Sequence, residues 1–498
     1  MESGTRRNPN ILFVVWDACR LDYAEKHAPN LKRLGEEGAW FENAFAPATW
    51  SLPSHTSIVT GEYPHEHGVT QPSQSRMPAT LVEALKLEGY TCYGVSGNGF
   101  ASHKWGFDEP FDRFRYTRGS EPYGDGEEMF ASLITKEGSK PRLLAHGVSE
   151  SLSHEKTLKS LANLAAVATN HVSRHVVTPL RRIPHPVFKD EPQYSYSGRK
   201  NTDRIRQIIR NESDTEEPFF VFTNYMETHR PYLPDADLQR EHLGEVLPRD
   251  ELVRLNEEVA APWEFTKLAE MEDESVDEED VRKVRSLYAG EVEAADRYLG
   301  ELVDELGARD ILEDTLIVVT SDHGENLGET DSLGRRRLGH EASMSEVLAR
   351  VPLVVSHPDV KPSNVEEPVS LKDLFDLFLG AARDGSVDVD SLTSDVVLCE
   401  YPALGDEKMY EKHPDVPDEA VAQRVSQDAV SAHTRDWRVV ADSEGVRLAE
   451  HAGEETDIDD TPDEIVEFAE SSLKELSQLK RRDVTEETAA RLEDLGYM

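Results

Sequence analysis

The 498 residues carry 97 Asp and Glu against 54 Lys and Arg, a formal net charge of −43, which disfavours nucleic acid and anionic membrane surfaces as partners. A chain of this length exceeds one simple core, so one large domain and a smaller one are expected. Cys19, Cys92 and Cys399 are far apart with no CxxC pair, as in a reduced compartment, and no window reaches the roughly 18 uninterrupted apolar residues of a membrane span.

The acidic excess is spread along the whole chain, the pattern expected of a halophilic, archaeal protein kept soluble where salt screens self-repulsion. Met1 to Asn10 is polar and has no apolar signal-peptide core, so a cytoplasmic location is expected. Ile11–Val15 is apolar without alternation and predicts a strand buried on both faces of a parallel sheet. Asp17 then stands at the strand's carboxyl end, where open α/β sheets place ligands, or merely caps the next turn of chain. A short helix opens at Pro29, and Ala39–Phe45 alternates roughly like a strand. In Thr49–Pro64, Ser51 reads as the N-cap of a short helix, with Pro53 in its first turn and Gly61 as its stop. Such a serine is usually only a cap; a reactive role for its hydroxyl has to come from distant residues.

Pro78–Leu87 has helical spacing, Thr91–Ser96 reads as a strand, and Asn98 lies just past it as a turn residue or a ligand contact. Residues 115–205 show no catalytic pattern and read as an insertion or lid, with helical spacing over Ser149–Val177. Pro218–Tyr225 is again a buried strand, with His229 just beyond its end. Pro248–Val284 reads as acidic, irregular and exposed, and Tyr288–Leu306 as a helix packing on the sheet. The strand Thr315–Thr320 then runs into Ser321-Asp322-His323-Gly324-Glu325, placing a carboxylate beside an imidazole. Leu333–His340 reads as a basic loop whose Arg335, Arg336, Arg337 and His340 form an anion site or a set of salt bridges. Val351–Val355 gives one more strand. Asp395–Tyr401, Ala429–Thr434, Trp437–Ala441 and Gly445–Ala449 predict a small antiparallel sheet, and Pro462–Leu479 and Thr485–Leu495 amphipathic helices. The expected division is a catalytic α/β domain over residues 1–385 and a smaller α+β domain over 386–498.

Asp17, Ser51, Asp322 and His323 each end or follow a strand, and in a parallel sheet those ends meet on one edge. Two carboxylates, an imidazole and a hydroxyl suit a divalent cation, which lowers the pKa of a bound hydroxyl and orients it for attack. His229 or His340 would then hold an ester or protonate its leaving group.

Taken in order, Asn10–Val15 with Asp17, Ser51-Leu52-Pro53-Ser54-His55 leading to Thr60-Gly61, Thr320–Glu325, and Arg350-Val351-Pro352-Leu353-Val354 resemble the sulfatase family of the alkaline phosphatase superfamily. The resemblance covers residues 8–115 and 215–360, and Gly453–Thr456 is similar to the family's C-terminal end. It implies an alkaline-phosphatase-like α/β fold with a mostly parallel sheet flanked by helices, a smaller C-terminal domain with an antiparallel sheet, and one divalent ion, Ca2+ by family, with Mn2+, Mg2+ or Zn2+ as alternatives. Ser51 stands where the family has a Cys or Ser oxidised to formylglycine, and Asp17, Ser51, Asp322 and His323 match metal ligands. His229 matches a histidine near the ester oxygen, and His340, or else Arg335, falls at the substrate-binding cation; His55 and Asn98 are placed with the substrate.

Three positions depart from the family pattern. The formylglycine signature reads Cys or Ser, any residue, Pro, any residue, Arg, and His55 occupies the Arg position; Ala18 stands where a second aspartate is common. Asp322-His323, where many sulfatases have Asp-Asn, is similar to phosphonate and phosphodiester hydrolases of the superfamily. The expected activity is hydrolysis of a small-molecule or polysaccharide sulfate ester, through formylglycine or directly through Ser51. The alternatives are phosphodiester or phosphonate monoester hydrolysis, or phosphoryl-group transfer, by an unmodified Ser51, and a non-catalytic accessory module of the same fold.

Overall fold

Alternate residues of the strand Asn10–Trp16 (β1) leave for opposite faces: Leu12, Val14 and Trp16 join one apolar cluster, Ile11, Phe13 and Val15 another, and all six are buried. A parallel strand covered by helices on both sides has this burial, which explains an apolar run without alternation. The computed structural model describes residues 8–70, 80–117, 148, 157, 198–260, 277–330, 336–340, 343–403 and 427–479.

β1 is central in an eight-stranded sheet, in the order Ser363–Val365 (β11), Ala39–Phe41 (β2), Leu353–Ser356 (β10), Thr315–Thr320 (β7), β1, Phe219–Tyr225 (β6), Thr91–Ser96 (β4) and Arg113–Tyr116 (β5). All run in one direction except β10, which is antiparallel to both β7 and β2. Val15 pairs with Thr320 on one side and Asn224 on the other, and Asn224 pairs with Ser96. The register therefore ends β7, β1, β6 and β4 at one level, and the residues just past them emerge along a single edge.

One face of the sheet is covered by the helix Glu278–Ala308 together with Leu21–His27, Pro29–Glu37 and Gly198–Glu212, the other by Leu374–Asp384 and Leu81–Leu87. The long helix starts at Glu278 rather than Tyr288, capped by Asp277, whose side chain accepts from the N–H of Glu279. Its early turns are charged outside and bury only Val281, Val284 and Leu287, a stripe too thin to stand out in the sequence. Pro248–Val284 is accordingly not irregular throughout, since Arg249–Arg254 is helical and Leu255–Val259 forms a π-helical turn.

The basic segment ending at His340 contains a strand instead of only a loop. Arg336–Gly339 (β9) pairs antiparallel with Asn326–Thr330 (β8), because Leu338 faces Leu327 and both are buried against the helical face. Ala44–Phe45 (β3) splits from β2 to pair with Val369–Ser370 (β12). Most of 115–205, nearly all of Ser149–Val177, and Thr485–Leu495 lie outside the described residues. The chain continues into an antiparallel sheet of Val397–Tyr401 (β13), Ala429–His433 (β14), Trp437–Asp442 (β15), Gly445–His451 (β16) and Glu454–Glu455 (β17), with the helix Asp463–Gln478 packed on it. Among the described residues no helix is long and apolar enough to cross a membrane.

Candidate active site

The helix Ser51–Thr60 has Trp50, not Ser51, as its N-cap: Trp50 is extended, at φ −151° and ψ 162°, and no side chain caps the turn. Pro53 fits the first turn because its missing N–H needs no partner there, and Gly61, at φ +76°, ends the helix in the left-handed region that glycine tolerates. Helical geometry beginning one residue early leaves the Ser51 hydroxyl free of capping. Its Oγ lies 3.3 Å from Nε2 of His323 and is buried.

Asp17, Asp322 and His323, all fully buried, offer one donor atom each within 4.8 Å of one another. On each carboxylate one oxygen is occupied and the other is not. Asp17 Oδ2 accepts the Asn98 amide at short range and the Asn224 amide at 3.5 Å, while Asp322 Oδ1 accepts the N–H groups of Ala18 and His323, each at 3.1 Å. Among the described residues Asp17 Oδ1 and Asp322 Oδ2 accept no hydrogen bond, and His55 Nε2 stands 3.3 Å from the latter. His323 donates Nδ1–H to the Gly324 carbonyl at 2.8 Å, which fixes the tautomer and turns the Nε2 lone pair to the carboxylates, 3.5 Å from Asp322 and 4.0 Å from Asp17.

Burial, followed by repulsion from Asp322, raises the Asp17 carboxyl well above its usual range. Burial would raise Asp322 as well, but the imidazoles of His323 and His55 beside it outweigh that and hold its carboxyl low. His323 is itself lowered by burial, an effect partly offset by Asp322. Two buried carboxylates with an orphaned oxygen each, and an imidazole lone pair aimed between them, fit a resident divalent cation.

The backbone around this cluster is held tightly. Ala18, at φ +58°, turns the chain sharply after β1, so it is its N–H rather than a side chain that serves the site. Ser321 Oγ accepts from the Cys19 N–H at 2.7 Å and sits 2.6 Å from the His323 carbonyl, stapling the ends of β1 and β7. A Cβ at Gly324 would lie 1.8 Å from the Val347 carbonyl oxygen, so no larger residue fits where that turn packs on the helix Glu346–Ala349.

His340 joins from the β9 end: its Nδ1 is 3.0 Å from Glu325 Oε1, whose second oxygen accepts the Tyr232 hydroxyl at 3.1 Å. Its ring centre is 4.4 Å from that of His323 and 5.5 Å from that of His229. His229 Nδ1 lies 2.6 Å from the Arg230 carbonyl, and burial, then the neighbouring His340 and Arg230, push its pKa well below the ordinary value, so it is neutral at pH 7.

His55 lies beneath the cluster rather than on an open surface. Its Nε2 is 3.3 Å from Asp322 and 3.1 Å from the Asn224 amide, and its ring meets Phe107 and Phe222 edge-on. Asn98 likewise faces Asp17, its side-chain oxygen accepting the Phe100 N–H at 2.6 Å. Eight of the expected site residues thus converge; Arg335 lies outside the described residues, and its neighbour Arg336 pairs with Glu278 at 2.6 Å. Asn224 and Glu325 carry contacts that the sequence reading gave no role. The available signals were an amide inside an otherwise apolar strand and a carboxylate two residues past His323.

The family model described as Sulfatase matches residues 9–384. Choline-sulfatase of Rhizobium meliloti (strain 1021) is 25% identical over 404 residues, 76% of this chain and 70% of its own length. Iduronate 2-sulfatase of Mus musculus is 23% identical over 381 residues, spanning 70% of this chain and 59% of that protein. Among solved structures, the phosphonate monoester hydrolase of Silicibacter pomeroyi superposes with a TM-score of 0.62 at 16% identity, covering 96% of this chain and 98% of the other.

Proposed function

The chain belongs to the sulfatase family, and from that premise we propose that it hydrolyses sulfate esters, with Ser51 as the attacking residue beside one divalent cation held by Asp17, Asp322 and His323. The observation that carries the reading is the uncapped Ser51 hydroxyl, 3.3 Å from the His323 nitrogen that faces both orphaned carboxylate oxygens. When bound, the cation lowers the pKa of a hydroxyl and offsets charge on an ester oxygen. Ca2+ is the ion the resemblance implies, and the nitrogen of His323 also admits Mn2+ or Zn2+.

The remaining work falls to the chain's own groups. Asn98 and Asn224 orient the Asp17 carboxylate, and His323 keeps its tautomer through Gly324. With Glu325 on its Nδ1, His340 turns Nε2 toward the ester, and His229 enters the reaction neutral, able to accept a proton or to bind an acidic ester hydroxyl. The first-turn N–H groups of the Ser51 helix and its dipole favour an anionic group next to the hydroxyl.

A second reading is phosphonate monoester or phosphodiester hydrolysis by an unmodified Ser51. It is favoured by the Asp322-His323 pair, by His55 at the signature's Arg position, and by the fold shared with a phosphonate monoester hydrolase. Mass spectrometry of the tryptic peptide bearing Ser51 separates the two: a loss of about two mass units marks formylglycine, and an intact serine eliminates the oxidised mechanism. Aryl sulfate, phosphodiester and phosphonate substrates, assayed at high salt with several metals, then rank the esters. Ser51→Ala is expected to lower kcat by at least about a thousandfold, and unchanged turnover in that variant removes Ser51 from the mechanism.

A further inference from the structure

We propose that Glu400, on the C-terminal sheet and outside the residues matched by the family model, is a positioning residue for Ser51 that clamps both ends of the helix carrying it. The inference rests on the assignment of Ser51 as the attacking residue, and two sets of contacts made by one residue support it.

The first set is backbone. Among the described residues β13 is an edge strand paired with β14 on one side, and its other side takes the segment that leads into the helix. Glu400 N–H donates to the Pro47 carbonyl at 2.9 Å, and the Thr49 N–H donates to the Glu400 carbonyl at 3.1 Å, a parallel bridge centred on Ala48. The Trp50 indole N–H then donates to the Pro402 carbonyl at 3.2 Å, so the residue directly before Ser51 is tied to the same strand. An exposed edge strand is a liability, and here it is spent on fixing the approach to the hydroxyl.

The second set comes from the side chain. Glu400 is fully buried, and its carboxylate accepts the His65 N–H at 3.1 Å and pairs with His65 Nδ1 at short range. His65 lies in the short helix Pro64–His67, which begins three residues after the Gly61 stop. Its other nitrogen is 3.7 Å from Glu475 on the helix Asp463–Gln478, and the neighbouring Tyr63 hydroxyl accepts the Leu398 N–H at 3.2 Å. A carboxylate so buried needs a partner, since burial raises it and His65 is the group that pulls it back. The backbone of Glu400 therefore holds the helix entry at Thr49 and its side chain holds the exit at His65. The helix cannot pivot without breaking one set, and attack tolerates little misplacement of the hydroxyl.

The test compares Glu400→Ala and Glu400→Gln with Val439→Ala, a core truncation in the same sheet that makes none of these hydrogen bonds and shares only an apolar cluster with Tyr63 and Leu398. Steady-state kinetics on the best ester of the panel are read beside hydrogen exchange of the peptide spanning Thr49–Thr60. Glu400→Ala is expected to lower kcat by about tenfold to a hundredfold with KM within about twofold, and to speed exchange across Ser51–Thr60. Glu400→Gln keeps an acceptor for the His65 N–H and is expected to fall between the two. Val439→Ala lowers Tm and leaves kcat and that exchange as in the parent. Unchanged exchange in both Glu400 variants, or an equal kcat loss in Val439→Ala, overturns the proposal. If the parent enzyme turns over none of the esters, the reading of Ser51 fails while the exchange data still decide the clamp; if Glu400→Ala does not fold, the nearly isosteric Glu400→Gln carries both readouts.

Discussion

Asp17 has two amides on one oxygen and, among the described residues, no hydrogen bond on the other. The Asn98 amide sets which oxygen faces His323, so Asn98→Ala frees the carboxylate to rotate away from the donor set. Cation affinity is expected to fall about tenfold to a hundredfold, the usual cost of losing a partner behind a metal ligand. Calorimetric titration of the metal-stripped protein with Mn2+ reads this without any substrate, and an unchanged Kd removes Asn98 from that role. Asp17, Asp322 and His323 were legible in the sequence because each lies within three residues of the end of an apolar run that reads as a buried strand. Asn224 was not legible in the same way, because its contacts with Asp17 and His55 depend on the pairing of β6 beside β1, and cross-strand register has no local signature. His55 was visible as a departure from a signature. Its place against Asp322, Phe107 and Phe222 comes only from the packing of the helix on the sheet.

The loop after β6 carries His229 and also Glu227, a buried carboxyl whose Oε1 accepts the Gly198 N–H at 2.6 Å and whose Oε2 has no hydrogen-bond partner among the described residues. Burial, only partly offset by backbone hydrogen bonds, pushes it from 4.5 up to about 7. A carboxyl raised in the folded state holds its proton longer there than in the unfolded chain. Its contribution is therefore complete below pH 4.5 and is lost as the pH climbs through 7, a loss of about 3 kcal/mol for a shift of this size. Glu227→Gln keeps the acceptor for Gly198 and removes the charge. It is expected to match the parent at pH 5 and to exceed it at pH 8 by about 2 kcal/mol in urea unfolding, and equal stability at pH 8 contradicts the assignment. Among the elements, the central strands were legible as unbroken apolar runs, whereas the start of the helix at Glu278 was hidden by its charged outer face. The β8–β9 hairpin was hidden by arginines around a single inward leucine, Leu338. The capping role expected for Ser51 failed because helical geometry begins one residue early, and that same offset releases its hydroxyl.

At the scale of the whole molecule, the alternation of strands and helices made the large sheet and the small antiparallel sheet legible. The grip of the small sheet on the Ser51 helix was not, because the segment Pro47–Thr49 and Glu400 are joined by tertiary contact alone. The charge of −43 acts on the molecule as a single body. Local pairs such as Arg206, Arg210 and Arg309 around the buried carboxylate of Glu305 keep their guanidinium groups partly in water, and each is worth about 1 kcal/mol. Salt weakens those pairs, but it also screens the repulsion among the far more numerous unmatched carboxylates. Raising ionic strength from about 0.1 M to about 1 M shortens the Debye length from about 10 Å to about 3 Å, which removes the long-range repulsion and leaves contacts at hydrogen-bond distance less affected. The repulsive term wins, so Tm is expected to rise steadily over this range of KCl, and a flat or falling Tm refutes the argument. The same field repels an anionic ester approaching the site, so KM for a sulfate ester is expected to fall as KCl is added. Sucrose at equal osmolality separates screening from general exclusion: it does not screen charge, and therefore leaves KM unchanged if the field is the cause.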